Sequence, residues 1–193
     1  MLTNLFYYLL RWWLNHHGPN IKNKKVMLYG PFQCGKTTFI NWRLFNKFTE
    51  EYHASADDGY KKDPDHNIEY YDLGGRDAFY NNGQFEDHYK SNDIIIVMFD
   101  AYKYRHEKNY PIRVNAIFDA MNKLGGKYPG KQLLIVATHK DQLNGDVPKS
   151  LHEWLDSNKD YYTFIIKQPF VCCDLREKEG VKDVLELIKD NVK

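Results

Sequence analysis

The chain has 193 residues, with 27 Lys and Arg against 26 Asp and Glu, a net charge of +1, 42% hydrophobic and 16% aromatic residues. That is one domain's worth of chain with enough apolar residues for a single core, and the charge balance argues against a nucleic-acid binder, which needs a basic surplus on one face. Three cysteines in no C-x-x-C spacing and eight histidines without ligand spacing predict free thiols in a reducing compartment and no zinc site.

From Met1 to Leu14, Leu2, Leu5, Phe6, Leu9, Leu10, Trp13 and Leu14 follow helical spacing, with Tyr7, Tyr8, Arg11 and Trp12 on the other face. The run is shorter than the ~20 residues of a transmembrane helix and lacks the basic start and cleavage site of a signal peptide. Next to Lys22, Lys24 and Lys25, it predicts an amphipathic helix over residues 1–17 that lies on a membrane surface. A helix packed into a groove of the domain, residues 18–193, is the alternative. Leu2 is not the glycine that N-myristoylation requires.

The strand Val26–Tyr29 runs into Gly30-Pro31-Phe32-Gln33-Cys34-Gly35-Lys36-Thr37, and the apolar run Phe39, Ile40, Trp42, Leu44, Phe45 leaves it. This is G-x-x-x-x-G-K-[ST] between a strand and a helix, the context that distinguishes a phosphate-binding loop from a chance glycine turn. Gly30 and Gly35 let the backbone wrap closely, and the N–H groups of Gln33, Cys34, Gly35, Lys36, Thr37 and Thr38 point at an anion with the helix dipole behind them. Lys36 reaches the outer phosphates, and the Thr37 hydroxyl ligates Mg²⁺. A nucleoside triphosphate is the expected ligand.

Farther on, Tyr60-Lys61-Lys62 and Ile68–Tyr71 predict a hairpin around residues 63–67. Asp72 ends the second arm, placed to hold Mg²⁺ through water opposite Thr37, and Gly74 and Gly75 free the backbone to approach a γ-phosphate. Ile94–Phe99 and Leu133–Ala137 are buried parallel strands. Ile117, Phe118, Met121 and Leu124 mark a helix over 114–124, closed by Gly125-Gly126. Leu151–Leu155 is a short helix, Phe164–Ile166 and Phe170–Cys172 are strand pieces around Gln168-Pro169, and Val181, Val184, Leu185 and Ile188 face a final helix inward. The alternation predicts an α/β fold: a doubly wound, mostly parallel six-stranded sheet of the P-loop NTPase type, with one antiparallel edge strand and helices on both faces.

Thr138-His139-Lys140-Asp141 sits at the carboxyl end of the second buried strand, where open α/β sheets bind ligands. A carboxylate at Asp141 can accept from the guanine N1–H and exocyclic amine together, a pair that adenine does not offer. A helix-cap or turn role is the alternative. Cys172-Cys173-Asp174 ends the last strand and can offer a backbone N–H to the guanine O6.

In this order, the phosphate loop, Asp72-Leu73-Gly74-Gly75, Thr138-His139-Lys140-Asp141 and Cys172-Cys173-Asp174 resemble the Ras-superfamily small GTPases over about residues 24–190. The paired glycine, the single hairpin and the N-terminal helix make the chain most similar to the Arf and Sar branch, while Gly74–Phe79 also resembles the Rag GTPases. The resemblance implies GTP and GDP with Mg²⁺ as ligands, and effector, exchange-factor and activating proteins as partners. It implies a cytoplasmic, peripherally membrane-associated switch with slow hydrolysis. It also implies that Gly75 gives a backbone N–H to the γ-phosphate and that Ser55, with Thr49 as the other choice, supplies a hydroxyl to Mg²⁺.

The chain departs from the family at Thr138 and His139, which stand for Asn and Lys, at the bulky Phe32-Gln33, and at Arg76. Arg76 occupies the position of the residue that orients the attacking water. It stays protonated and cannot act as a base, but it can stabilise charge on the transferring phosphoryl group as an arginine in cis. A nucleotide-bound scaffold that does not hydrolyse is therefore the alternative to a GTPase. An ATP-using small kinase needs an arginine lid, which Arg105 and Arg113 alone do not make.

Overall fold

Six extended segments join into one sheet in the computed structural model, which describes residues 23–45, 59–63, 68–72, 84–155 and 164–191. The strands are β1 (Lys25–Tyr29), β2 (Gly59–Asp63), β3 (Ile68–Asp72), β4 (Ile94–Asp100), β5 (Gln132–Thr138) and β6 (Phe170–Cys172). They lie in the order β2-β3-β1-β4-β5-β6. All neighbours run parallel except β2 and β3, the hairpin at one edge. The chain builds to one side of β1 and then to the other, so the strand order reverses there. In open α/β sheets the crevice at the carboxyl ends beside such a reversal is where ligands bind.

Period-2 alternation divides the strand side chains between two cores. Met27, Tyr29, Ile95, Val97, Phe99, Leu133, Ile135 and Ala137 face α2 (Gln84–Ser91) and α4 (Tyr110–Lys127). Val26, Leu28, Ile94, Ile96, Met98, Leu134 and Val136 face α1 (Lys36–Phe45) and α6 (Lys178–Asn191). Every residue of β4 is buried, as a central strand covered on both sides requires. Each large apolar side chain buried here contributes about 1.5–3 kcal/mol. The α/β class, the mostly parallel six-stranded sheet with its antiparallel edge and the helices on both faces all agree with the sequence-based expectation.

Two local expectations change. Gly125 and Gly126 do not close a helix; they lie inside α4, which runs on to Lys127. Gly125 is a contact glycine, since a Cβ there would come within 2.1 Å of the Phe164 ring. Ile165–Lys167 forms a 3₁₀ turn, not a strand, and the Gln168 N–H closes it on Ile165 O at 3.0 Å. A three-residue apolar run carries no period that separates a strand from a single helical turn. Pairing resumes only at Pro169, whose carbonyl accepts from the Ile135 N–H.

Two helices carry weak sequence signals. Polar α2 buries Phe85 and Tyr89, four residues apart on one face, and its Glu86 accepts from Lys127 and Tyr128. The short α3 (Ala101–His106) starts at Asp100, whose Oδ1 accepts from the Lys103 N–H at 2.9 Å. The short helix at Leu151–Trp154 is α5. The predicted N-terminal helix Met1–Leu14, and Thr49, Ser55, Gly74, Gly75 and Arg76, lie outside the described residues. Among the described residues, no helix is long and apolar enough to cross a membrane.

Candidate functional site

The loop between β1 and α1 is shaped by what its glycines permit. A Cβ on Gly30 would stand 1.9 Å from the carbonyl oxygen of Met98, so the loop can lie flat against β4 only without a side chain there. Gly35 takes φ +92°, and Gln33 takes the left-handed φ 61° despite its side chain. These turns bring Lys36 back over its own loop. The buried Nζ donates to Gly30 O at 3.0 Å and Pro31 O at 3.1 Å, with the Cys34 thiol at 3.9 Å.

Among the described residues no carboxylate pairs with Lys36. An ammonium whose partners among the described residues are neutral dipoles leaves positive potential at the loop. The N-terminus of α1 adds to it, with no acidic residue in its first turn. Thr37 and Thr38 are half-buried on that first turn. Gln33 faces outward and accepts from Lys103 Nζ at 3.2 Å.

β5 delivers the second segment to the same edge. The buried Thr138 hydroxyl lies 3.1 Å from Cys34 O and 3.2 Å from Phe99 O. Its single proton bonds one of them at a time, and both lie in tight packing, so Thr138 ties the β1–α1 loop to the ends of β4 and β5. His139 turns left-handed, at φ 60°. Its Nδ1 sits 2.9 Å from Thr138 Oγ1 and 3.3 Å from Asp100 Oδ2, and a proton on Nδ1 serves both acceptors.

The Lys140 N–H donates to Cys173 O, which hands the chain into a 3₁₀ turn, Lys140–Leu143. Asp141 lies within that turn, whose N-cap is His139. Its carboxylate is ion-paired with the Arg176 guanidinium, and its side chain keeps 26% exposure.

The third segment follows β6. The Cys173 N–H is committed to Ala137 O at 2.9 Å and is therefore not aimed at a base. Cys172 and Cys173 are free thiols buried in opposite cores. Burial pushes the Cys172 thiol up to about 11 and Cys173 higher still, so both stay protonated at neutral pH. Of the trio, Asp174 stands at the rim. The Arg176 backbone N–H donates to its Oδ1, while Arg176 Nε and Nη2 donate to its two oxygens at 3.0–3.4 Å. Burial alone would raise the Asp174 carboxyl, but the Arg176 hydrogen bonds and charge outweigh it and hold the pKa below the usual carboxylate value.

Trp42 Nε1 of α1 donates to Leu175 O at 2.9 Å, and the Leu175 side chain packs behind Gly35. The Asp174 carbonyl lies so close to α6 that a Cβ on Gly180 would come within 2.0 Å of it. The β1–α1 loop, the 3₁₀ turn after β5 and the loop after β6 thus form one continuous edge.

That edge gathers Gly30, Gln33, Cys34, Gly35, Lys36, Thr37, Thr38, Thr138, His139, Lys140, Asp141 and Asp174. The backbone of Asp72 reaches it too, in register with Leu28 just before the phosphate loop. Trp42, Asp100 and Arg176 belong to the site and carry no motif of their own. For Arg176 the available signal is Asp-x-Arg directly after a strand, the spacing at which a carboxylate bonds the backbone two residues on. Among the described residues no three His, Cys, Asp or Glu side chains gather as a metal cluster. No protein-family model matches the chain, and no curated protein does either.

Proposed function

We propose that the chain is a guanine-nucleotide-binding P-loop protein of the small-GTPase type, an Arf-like switch with slow intrinsic hydrolysis and reversible membrane contact. The observation that carries this reading is that Lys36, buried and without a carboxylate partner among the described residues, lies in a loop that Thr138 ties at Cys34 O to the end of β5, three residues before Asp141. One end suits phosphate and the other suits a base with two adjacent N–H donors. Mg²⁺ fits the donor set in kind: a hydroxyl at Thr37 and carboxylate at Asp72, with Ser55 a further hydroxyl, leave its other positions to water and phosphate oxygens. When bound, the ion neutralises phosphate charge. Gly75 and Arg76 stand in sequence where the γ-phosphate and its attacking water are handled, and an arginine there removes water positioning.

Competition against a fluorescent GDP tests the base. GTP should displace it at far lower concentration than ATP, and Asp141→Asn should weaken guanine binding by about 1.5–3 kcal/mol, the worth of a charge-assisted hydrogen bond. Equal displacement by ATP refutes the guanine reading. Single-turnover hydrolysis of bound GTP should be slow, and Arg76→Gln should speed it; a slower variant would make Arg76 a working catalytic group. Deleting residues 1–15 should abolish liposome binding while sparing nucleotide binding, and liposome binding that persists would remove the helix as the anchor.

A further inference from the structure

Arg176 is a cation at the base-side rim whose placement the proposed nucleotide chemistry does not use. Its Nη2 faces two carboxylates at once, Asp141 Oδ2 and Asp174 Oδ2. Its Nε holds Asp174 independently. A guanidinium presents adjacent N–H donors in one plane. Here the pair Nε and Nη2 is spent on Asp174, and Nη2 alone reaches Asp141, the acceptor proposed for the guanine N1–H and exocyclic amine.

We propose that Arg176 is a specificity-tuning competitor built into the site, which occupies Asp141 Oδ2 with its Nη2 donor, a contact that the base must displace. This inference rests on the guanine reading of Asp141. Asp174 is what makes the competitor effective. When Asp141 releases Arg176, the Nε and backbone bonds to Asp174 keep the guanidinium at the rim, so its local concentration stays high and the pair closes again as the base leaves. The backbone supports this arrangement from behind, through the Trp42 bond to Leu175 and the close approach of Gly180 to Asp174.

Competition of this kind acts only on ligands that use Asp141. Guanine nucleotides lose affinity to it; adenine nucleotides, held by their phosphates alone, do not. Arg176 therefore narrows the preference for guanine over adenine. The Arg176 side chain is 52% exposed and solvent screens the pair, so the effect is modest, about two- to fivefold.

Fluorescent GDP and ADP, titrated against the full chain with Mg²⁺ at low and high salt, test the proposal. Arg176→Met should bind GDP about two- to fivefold more tightly, leave ADP unchanged, and lose its advantage as salt rises. Arg176→Lys, a point charge without the planar fork, should fall between. In an Asp141→Asn background, Arg176→Met should have no effect. Weaker or unchanged GDP binding by Arg176→Met would overturn the proposal, as would an equal gain for ADP or a gain that survives Asp141→Asn. If Asp141→Asn alone leaves GDP affinity intact, the guanine reading itself falls and the competitor role falls with it.

Discussion

The two ends of the candidate site are built by different means. At the phosphate end the backbone does the work. Gly30 lies against β4, Gln33 and Gly35 turn left-handed, and Lys36 bonds carbonyls of its own loop, all within seven consecutive residues. At the base end, side chains from distant segments do it. Asp141 follows β5, Arg176 follows β6, and Asp100 ends β4. A backbone-built region tolerates almost no change at its tight points, because a carbonyl cannot move aside without carrying a strand with it. A side-chain-built region can be retuned one residue at a time.

The largest effect should come from breaking the backbone end. Gly30→Ala puts a Cβ 1.9 Å from Met98 O and 2.9 Å from Cys34 Sγ. Met98 belongs to β4, which is paired on both sides with β1 and β5, so it cannot yield. The loop must lift instead, at a cost of about 3 kcal/mol in urea unfolding, the upper part of the overpacking range. Nucleotide affinity should fall for GDP and ADP alike, since the phosphate grip is what moves. A variant as stable as the natural chain would show that the loop has another resting position.

This difference also explains what the sequence makes legible. The shape of the loop after β1 is legible because its constraints are local: a glycine at each tight point and a lysine at a set distance. The strands are equally plain, because β4 and β5 are continuous apolar runs between helical stretches. Asp141 is visible only as a carboxylate at the end of a strand. That it meets Arg176 depends on β5 and β6 pairing in register, Ala137 opposite Cys172, which no short pattern encodes. The same holds for Gly125. Read along the chain it looks like a helix stop, and only the Phe164 ring arriving from another segment shows why a glycine sits inside α4. Phe164–Ile166 fails for the opposite reason, being too short to express a period. Sequence reveals contacts that close within a few residues and hides those that wait for the sheet.

Thr138 is where the two ends meet, and it gives the smaller but sharper test. Its hydroxyl has Cys34 O on the phosphate side and Phe99 O on the β4 side, with His139 Nδ1 as its third neighbour. Thr138→Val keeps the shape and removes the donor. The carbonyl it served is left buried, which should cost about 1 kcal/mol of stability, while Thr138→Ser should recover most of it. His139 retains Asp100 as its partner, so the base-side turn keeps its support. The phosphate loop loses the tie at Cys34, and nucleotide affinity should fall by the same factor for GDP and ADP. Asp141→Asn should instead act on GDP alone. If Thr138→Val proves base-selective, the hydroxyl serves the base-side turn and the phosphate loop stands without it. If the loss is shared, one buried hydroxyl couples the backbone-built end to the side-chain-built end.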